Sequence, residues 1–169
     1  MAGEYENELR DRIEKICPAD KKSMADAAAH WKTVGKPLYS LGKLEDAVIR
    51  MAGIRGTADY RIGKKGLVIM CADNGVVAEE VTQTGQEVTA IVAENFTRRA
   101  TSVCLMAEIA GADLFPVDIG MASDVPAVTK TEYKVMSGTK DMLYEPAMTR
   151  EQAARAVLTG IHMVEKLAG

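Results

Sequence analysis

Two acids stand where apolar runs stop: Asp73 in Val68-Ile69-Met70-Cys71-Ala72-Asp73-Asn74-Gly75, and Asp118 in Leu114-Phe115-Pro116-Val117-Asp118-Ile119-Gly120. Ligands of open α/β sheets bind beyond the carboxyl ends of the strands, so an acid and a glycine there can orient a polar ligand or a ribose. A plain turn explains Asp73-Asn74-Gly75 equally, and Asp118 can simply satisfy loop amides. On residue chemistry alone both readings stand, the turn being the simpler. Ser137-Gly138-Thr139-Lys140 could offer amides, a hydroxyl and an ammonium to an anion, but ordinary loops share that composition. Neither G-x-x-x-x-G-K-[ST] nor a strand followed by G-x-G-x-x-G is present. Cys71 has no basic neighbour in sequence and reads as a core thiol, not a nucleophile. Three cysteines (Cys17, Cys71, Cys104) and two histidines (His30, His162) give neither a disulfide scaffold nor a transition-metal site, and no cofactor is expected.

The elements that must position these residues follow from periodicity. Tyr5, Leu9, Ile13 and Ile16 recur at helical spacing ahead of Pro18, and Met24, Ala27, Ala28 and Trp31 form a second stripe ahead of Gly35. Ser40 can cap a third helix carrying Leu41, Leu44, Val48 and Met51, ending near Gly53. The continuous apolar run Leu67-Val68-Ile69-Met70-Cys71-Ala72 predicts a strand buried on both faces. Thr84-Gly85-Gln86-Glu87 matches a capping box, opening a helix with Val88, Ile91, Val92 and Phe96 on one face. A further helix over 100–110 stops at Gly111 and leads into the second strand. Two strands separated by helices imply a parallel pair with a right-handed crossover. A short extended piece is expected at 132–136. A second capping box, Thr149-Arg150-Glu151-Gln152, opens a last helix with Ala153, Val157, Ile161, Val164 and Ala168 on one stripe, and places His162 at a surface or interface. The expected fold is α/β: part of a Rossmann-like three-layer domain with parallel strands, preceded by a helical N-terminal region. The division is a helical segment over 1–36 and an incomplete α/β domain over 37–169. So few parallel strands leave open edges, which predicts pairing with another chain or a missing portion.

Length and composition narrow the class. At 169 residues, 47% apolar and 27% charged, the chain is one globular domain's worth. Two Phe, five Tyr and one Trp against ten Met leave an aliphatic, methionine-filled core. A net charge of −3 without a basic run provides no electrostatic footprint for nucleic acid. No signal segment or membrane-length apolar run is present, so a cytoplasmic protein with reduced thiols and no membrane partner is expected.

Five stretches together then carry a likeness: Pro37-Leu38-Tyr39-Ser40-Leu41-Gly42-Lys43-Leu44-Glu45, the run 68–77, Glu87-Val88-Thr89-Ala90, Val117-Asp118-Ile119-Gly120, and Gly138-Thr139-Lys140-Asp141-Met142 followed by Glu145-Pro146-Ala147-Met148-Thr149. In this order they resemble the nicotinate-nucleotide–dimethylbenzimidazole phosphoribosyltransferase family. The resemblance implies transfer of phosphoribose from nicotinate mononucleotide to a benzimidazole-type base, giving the α-ribazole phosphate of cobamide lower ligands. It implies a base pocket around the strand ending at Asp73 and the helix starting at Thr84, with Thr84 as a small lining hydroxyl. Carried over residue by residue, the substrate-binding set is Asp73, Asn74, Thr84 and Asn95 on the base side, and Thr139 and Lys140 near the ribose or phosphate. None is assigned proton transfer. Asn74 stands where the family often has histidine, and Val92 where some members have glutamine.

Family members are roughly twice this length, with a glycine-rich phosphate loop and a glutamate general base that match no residues here. The resemblance therefore implies an N-terminal half, truncated, proteolysed or encoded by a split gene, lacking transferase activity alone. It would act as a homodimer or with a C-terminal half. Two alternatives remain: a non-catalytic base-binding or assembly module of the same fold, and an unrelated α/β enzyme using Cys71 or Asp73.

Overall fold

The computed structural model describes residues 3–168. They form two compact units, one comprising the chain up to Glu14 together with Lys64 onward, the other Lys15–Gly63.

The smaller unit pairs two helices, α2 (Lys21–Trp31) and α3 (Lys43–Arg55). Asp20 caps α2, its carboxylate accepting the Lys22 and Ser23 amides at 3.2 and 3.0 Å. Ser40 does not cap α3. The helix begins after Gly42, and Glu45 in its first turn reaches back to accept the Leu41 N–H at 3.1 Å. Lys36 meets the same carboxylate at 2.6 Å, with both side chains largely buried, and its ammonium lies 5.2 Å from the Trp31 ring centre. The bond from Lys36 is the main cause holding the Glu45 carboxyl below its ordinary value of 4.5, against the opposing effect of burial. A depressed acid contributes stability above its unfolded pKa and loses it as pH falls through the folded value. Acid weakening of this unit is therefore expected to set in below pH 4.5. In Glu45→Gln the unit should be less stable near neutrality and less acid-sensitive, as read by thermal melts followed across that range.

The larger unit places α1 (Glu4–Glu14) against the terminal helix α6 (Arg150–Ala168), and holds a two-stranded parallel sheet of β1 (Lys65–Ala72) and β2 (Ala112–Gly120). Parallel strands need a long crossover. Here it contains a 3-10 turn (Gly75–Glu79), α4 (Glu87–Thr97) and α5 (Ser102–Ala110). Thr101 caps α5, and Gly111 ends it at φ +62°, a left-handed stop that turns the chain into β2. The register runs Lys65↔Ala112 to Cys71↔Asp118, then slips so that Ala72 faces Gly120. Asp118 thus lies opposite Cys71 just before the slip, and Asp73 follows the last residue of β1. Cys71, Ala93, Met121, Val125 and Val128 form the core beside them, with Ile69, Ala90 and Phe96 packed around it.

The α/β class with a parallel pair is as read from sequence; several local expectations are not met. The run 67–72 is not buried on both faces: Leu67 and Met70 are 36% and 39% exposed, and Cys71 is its only fully buried member. With a single strand neighbour and modest helix cover, β1 lacks the layers that such a run needs. Thr84 is not the N-cap of α4, which begins at Glu87 after Gln86. Residues 132–136 are turn and irregular structure, although the Val135 amide does reach the Ile119 carbonyl at 3.0 Å. On α6 the buried row is Ala154, Leu158, Thr159 and Met163, whereas Val157 and Val164 are exposed. The Thr149–Gln152 box is present and reciprocal, at 2.8 and 3.1 Å. Arg150 to Glu6, Arg12 to Glu165 and His162 to Glu8 tie α1 to α6, so His162 lies at an exposed helix–helix contact. No helix among the described residues is long and apolar enough to cross a membrane.

Candidate functional site

Beyond the carboxyl ends of β1 and β2 the chain builds a continuous hydrogen-bonded junction. The Asp73 amide donates to the Gly120 carbonyl at 3.0 Å, extending the ladder past the slip. The Asp73 side chain, 3% exposed, accepts the Ala122 N–H at 2.7 Å, and its carbonyl accepts the Thr139 N–H at 2.9 Å. The Gly75 N–H returns to Thr139 Oγ1 at 3.1 Å. Loop 138–140 is thereby stitched to the end of β1. Gly138 adopts φ +74°, beside Gln86 and the Asp73 carbonyl.

Gly75 is dictated by space. A Cβ there would fall 2.5 to 2.6 Å from backbone atoms of Lys140, Asp141 and Thr139. From the other side, Gln86 Nε2 donates to the Asn74 carbonyl at 3.0 Å, bringing the start of α4 to the same point.

Of the six residues singled out from sequence, the structure brings four together: Asp73, Asn74, Thr139 and Lys140. Asn74 is exposed at the lip, and Lys140 extends outward to an ion pair with Glu145 at 3.0 Å. Thr84 is exposed, two residues before Gln86, and its amide leans on Thr82 Oγ1 at 3.4 Å. Asn95 stands further off. Nine residues past Gln86 on α4, it sits roughly 13 Å along the helix axis from the lip. Asp118 is fully buried and turned into the protein: it accepts the Met121 N–H at 2.7 Å and the Thr129 hydroxyl at 2.7 Å, with Lys134 Nζ 3.2 Å away. Its role is the loop-satisfying one.

Cys71 lies behind the site. Burial first, then the charges of Asp118 and Asp73, push its thiol up, which disfavours the thiolate that nucleophilic attack requires.

Gln86, Ala122, Thr129 and Lys134 were not singled out from sequence. In sequence Gln86 is only the interior of a capping box, and Ala122 contributes an amide that carries no side-chain signal. A groove of about 560 Å³ lies elsewhere, between α1 and α6, lined by Leu9, Ile13, Arg150, Ala153 and Val157 among others. It is apolar with exposed ion pairs along its rim, whereas at the strand ends amides, carbonyls and a buried carboxylate converge. A second hollow of about 420 Å³ takes in Lys140, Glu145 and Thr149. It joins the outer edge of the 138–140 loop to the start of α6.

Parallel strands and a helical crossover define an α/β protein, with polar groups gathered at the carboxyl ends of its strands, the edge at which open α/β sheets take ligands. The sequence pattern of a family described as phosphoribosyltransferase matches residues 16–169. Among relatives, the nicotinate-nucleotide–dimethylbenzimidazole phosphoribosyltransferase of Clostridium tetani is 42% identical over 158 residues, covering 94% of this chain and 44% of the relative. The Escherichia coli K12 protein of that name is 39% identical over 161 residues, with 95% and 45% covered. The crystal structure of CobT from Thermus thermophilus superposes with a TM-score of 0.76 at 32% identity, over 87% of this chain and 44% of that one. The chain belongs to the nicotinate-nucleotide–dimethylbenzimidazole phosphoribosyltransferase family. It spans a little under half the length of the curated relatives it matches.

Proposed function

We propose that this chain forms the base-binding side of a phosphoribosyltransferase moving phosphoribose from nicotinate mononucleotide to 5,6-dimethylbenzimidazole. The observation that carries the reading is the loop 138–140 stitched to the carboxyl end of β1, in a chain 42% identical to an enzyme of that name. A flat heteroaromatic base needs a slot with amide and carbonyl edges; Gln86 meets the Asn74 carbonyl at the lip, and Thr84 stands two residues ahead of Gln86. Asp73 shapes the slot from beneath, with one carboxylate oxygen committed to the Ala122 amide. Asn95 serves as an outer contact along α4. Thr139 and Lys140 face the ribose or phosphate, Lys140 giving up Glu145 for an anionic ligand. The transferase step needs a base to take the N–H proton of the benzimidazole as its other ring nitrogen bonds to the ribose C1′ and nicotinate leaves. Each group gathered at the crevice binds or positions; none is assigned that proton.

The chain alone is accordingly expected to show no transfer. Pairing with a second copy, or with the portion of the family domain that its relatives possess beyond the match, completes the site in this reading. The test is product formation from nicotinate mononucleotide and dimethylbenzimidazole, by the 169-residue chain alone and mixed with the complementary portion of the Clostridium tetani relative. Turnover only in the mixture is expected. Turnover by the chain alone contradicts the reading, and base binding without rescue assigns a binding module.

A further inference from the structure

We propose that Asp118 is a positioning residue: matched by Lys134, its buried carboxylate fixes the loop that walls the strand-end crevice, so that affinity there depends on a side chain that never meets the ligand. The inference rests on the functional reading for its ligand but on geometry for its mechanism. Asp118 is 0% exposed near the end of β2, and three donors from the following loop converge on it. Met121 N–H binds Oδ1, while the Thr129 hydroxyl binds Oδ2 and itself accepts the Val125 N–H at 2.9 Å. Lys134, 12% exposed, bridges Asp118 and Asp124. One carboxylate thus gathers positions 121, 129 and 134 of a segment that has neither helix nor strand to hold it.

What that segment does next makes the link. Ala122, adjacent to the Met121 anchor, donates to Asp73. Val135, adjacent to Lys134, donates to the Ile119 carbonyl, and Gly138 to that of Gly120. Thr139 then bonds both the Asp73 carbonyl and the Gly75 amide. Both ends of the anchored loop therefore terminate on the crevice. A buried carboxylate with its cation and two further donors is costly to leave half-paired, which makes the loop adopt one arrangement.

The test is residue-resolved amide exchange on the ligand-free full chain. Asp118→Asn keeps shape and volume but removes the charge and one acceptor, leaving Lys134 without its buried partner. Exchange at Met121, Ala122 and Thr139 should rise about tenfold, with α4 and α6 amides changing less than twofold. The double variant D118N/K134M, with both charges gone, should recover much of that protection, a rescue that a packing role does not predict. Should D118N fail to fold, Thr129→Val, which removes one donor at constant shape, should loosen the same amides. A uniform rise across the unit, or no change at these amides, overturns the proposal. Titration with 5,6-dimethylbenzimidazole separates the ligand question: wild type binding with D118N about tenfold weaker supports both claims. A wild-type chain that does not bind the base sinks the functional reading, while the exchange data still decide the role of Asp118.

Discussion

Replacing Gly75 with alanine is expected to be among the most damaging single-atom additions to this chain. The new methyl would sit 2.5 to 2.6 Å from Lys140, Asp141 and Thr139 backbone atoms. That backbone cannot retreat easily, because Thr139 N–H is bonded to Asp73 O and Lys140 N–H to Ala147 O, both at 2.9 Å. Overpacking of this kind costs about 1–3 kcal/mol. Separating the loop from Gly75 also loses the amide bond to Thr139 Oγ1, worth about 1 kcal/mol. A fall of roughly 4–16 °C in the melting of the unit containing β1 is expected, at about 2–4 °C per kcal/mol. Base binding should be lost with it. Gly35→Ala is the control: no atom lies within 4 Å of its added methyl, and no loss is expected. Equal melting temperatures for Gly75→Ala and wild type would refute the close-approach argument.

The second large effect concerns charge. Lys134→Met should destabilise the same unit by about 3 kcal/mol, the low end for stripping a buried ion of its partner, because Asp118 retains the Met121 amide and Thr129 hydroxyl. Burial works against the Lys134 ammonium, but its bonds to Asp124 and Asp118 outweigh this and raise its pKa. A raised lysine contributes stability below its unfolded pKa of 10.5 and loses it as pH rises through the folded value. The wild-type chain should therefore weaken above pH 10.5 more steeply than the variant. Lys140→Met is the contrast, since its pair with Glu145 is more than half exposed on both sides. Exposed pairs are worth about 0–1 kcal/mol, so its stability should barely change. Chemical denaturation of the two variants in parallel checks the difference, and similar losses would contradict it.

The sheet and its helical crossover were legible because local signals agreed with the fold. Gly111 stops α5 in the left-handed region, and Thr149 with Gln152 forms the reciprocal cap that their spacing announces. Where sequence reading failed, the missing information was long-range. α6 carries two apolar rows, and whether Val157 or Leu158 is buried depends on what packs against each face, which no helical period reveals. Thr84-Gly85-Gln86-Glu87 has capping-box composition, yet Gln86 is drawn to the Asn74 carbonyl twelve positions away and the helix starts late. The apolar run of β1 expects cover on two faces, and the helices packed on this two-stranded sheet leave Leu67 and Met70 exposed. At the site, Asp73 and Asp118 stood out as strand-end acids. Their different fates did not, because they are set by Ala122, Thr129, Lys134 and Thr139, brought close only by folding. Asn74 and Lys140 were placed by resemblance, and their position at the crevice follows from the Gly75–Thr139 stitch.

The central claim is that the strand-end crevice takes an aromatic base. Titrating isotopically labelled chain with 5,6-dimethylbenzimidazole and following its backbone amides tests this most directly. Binding at the strand ends should give saturable shifts concentrated at Asn74, Gly75, Gln86 and Thr139, with α1 and α6 unchanged. Shifts confined to the groove between α1 and α6, or none at saturating base, would contradict it.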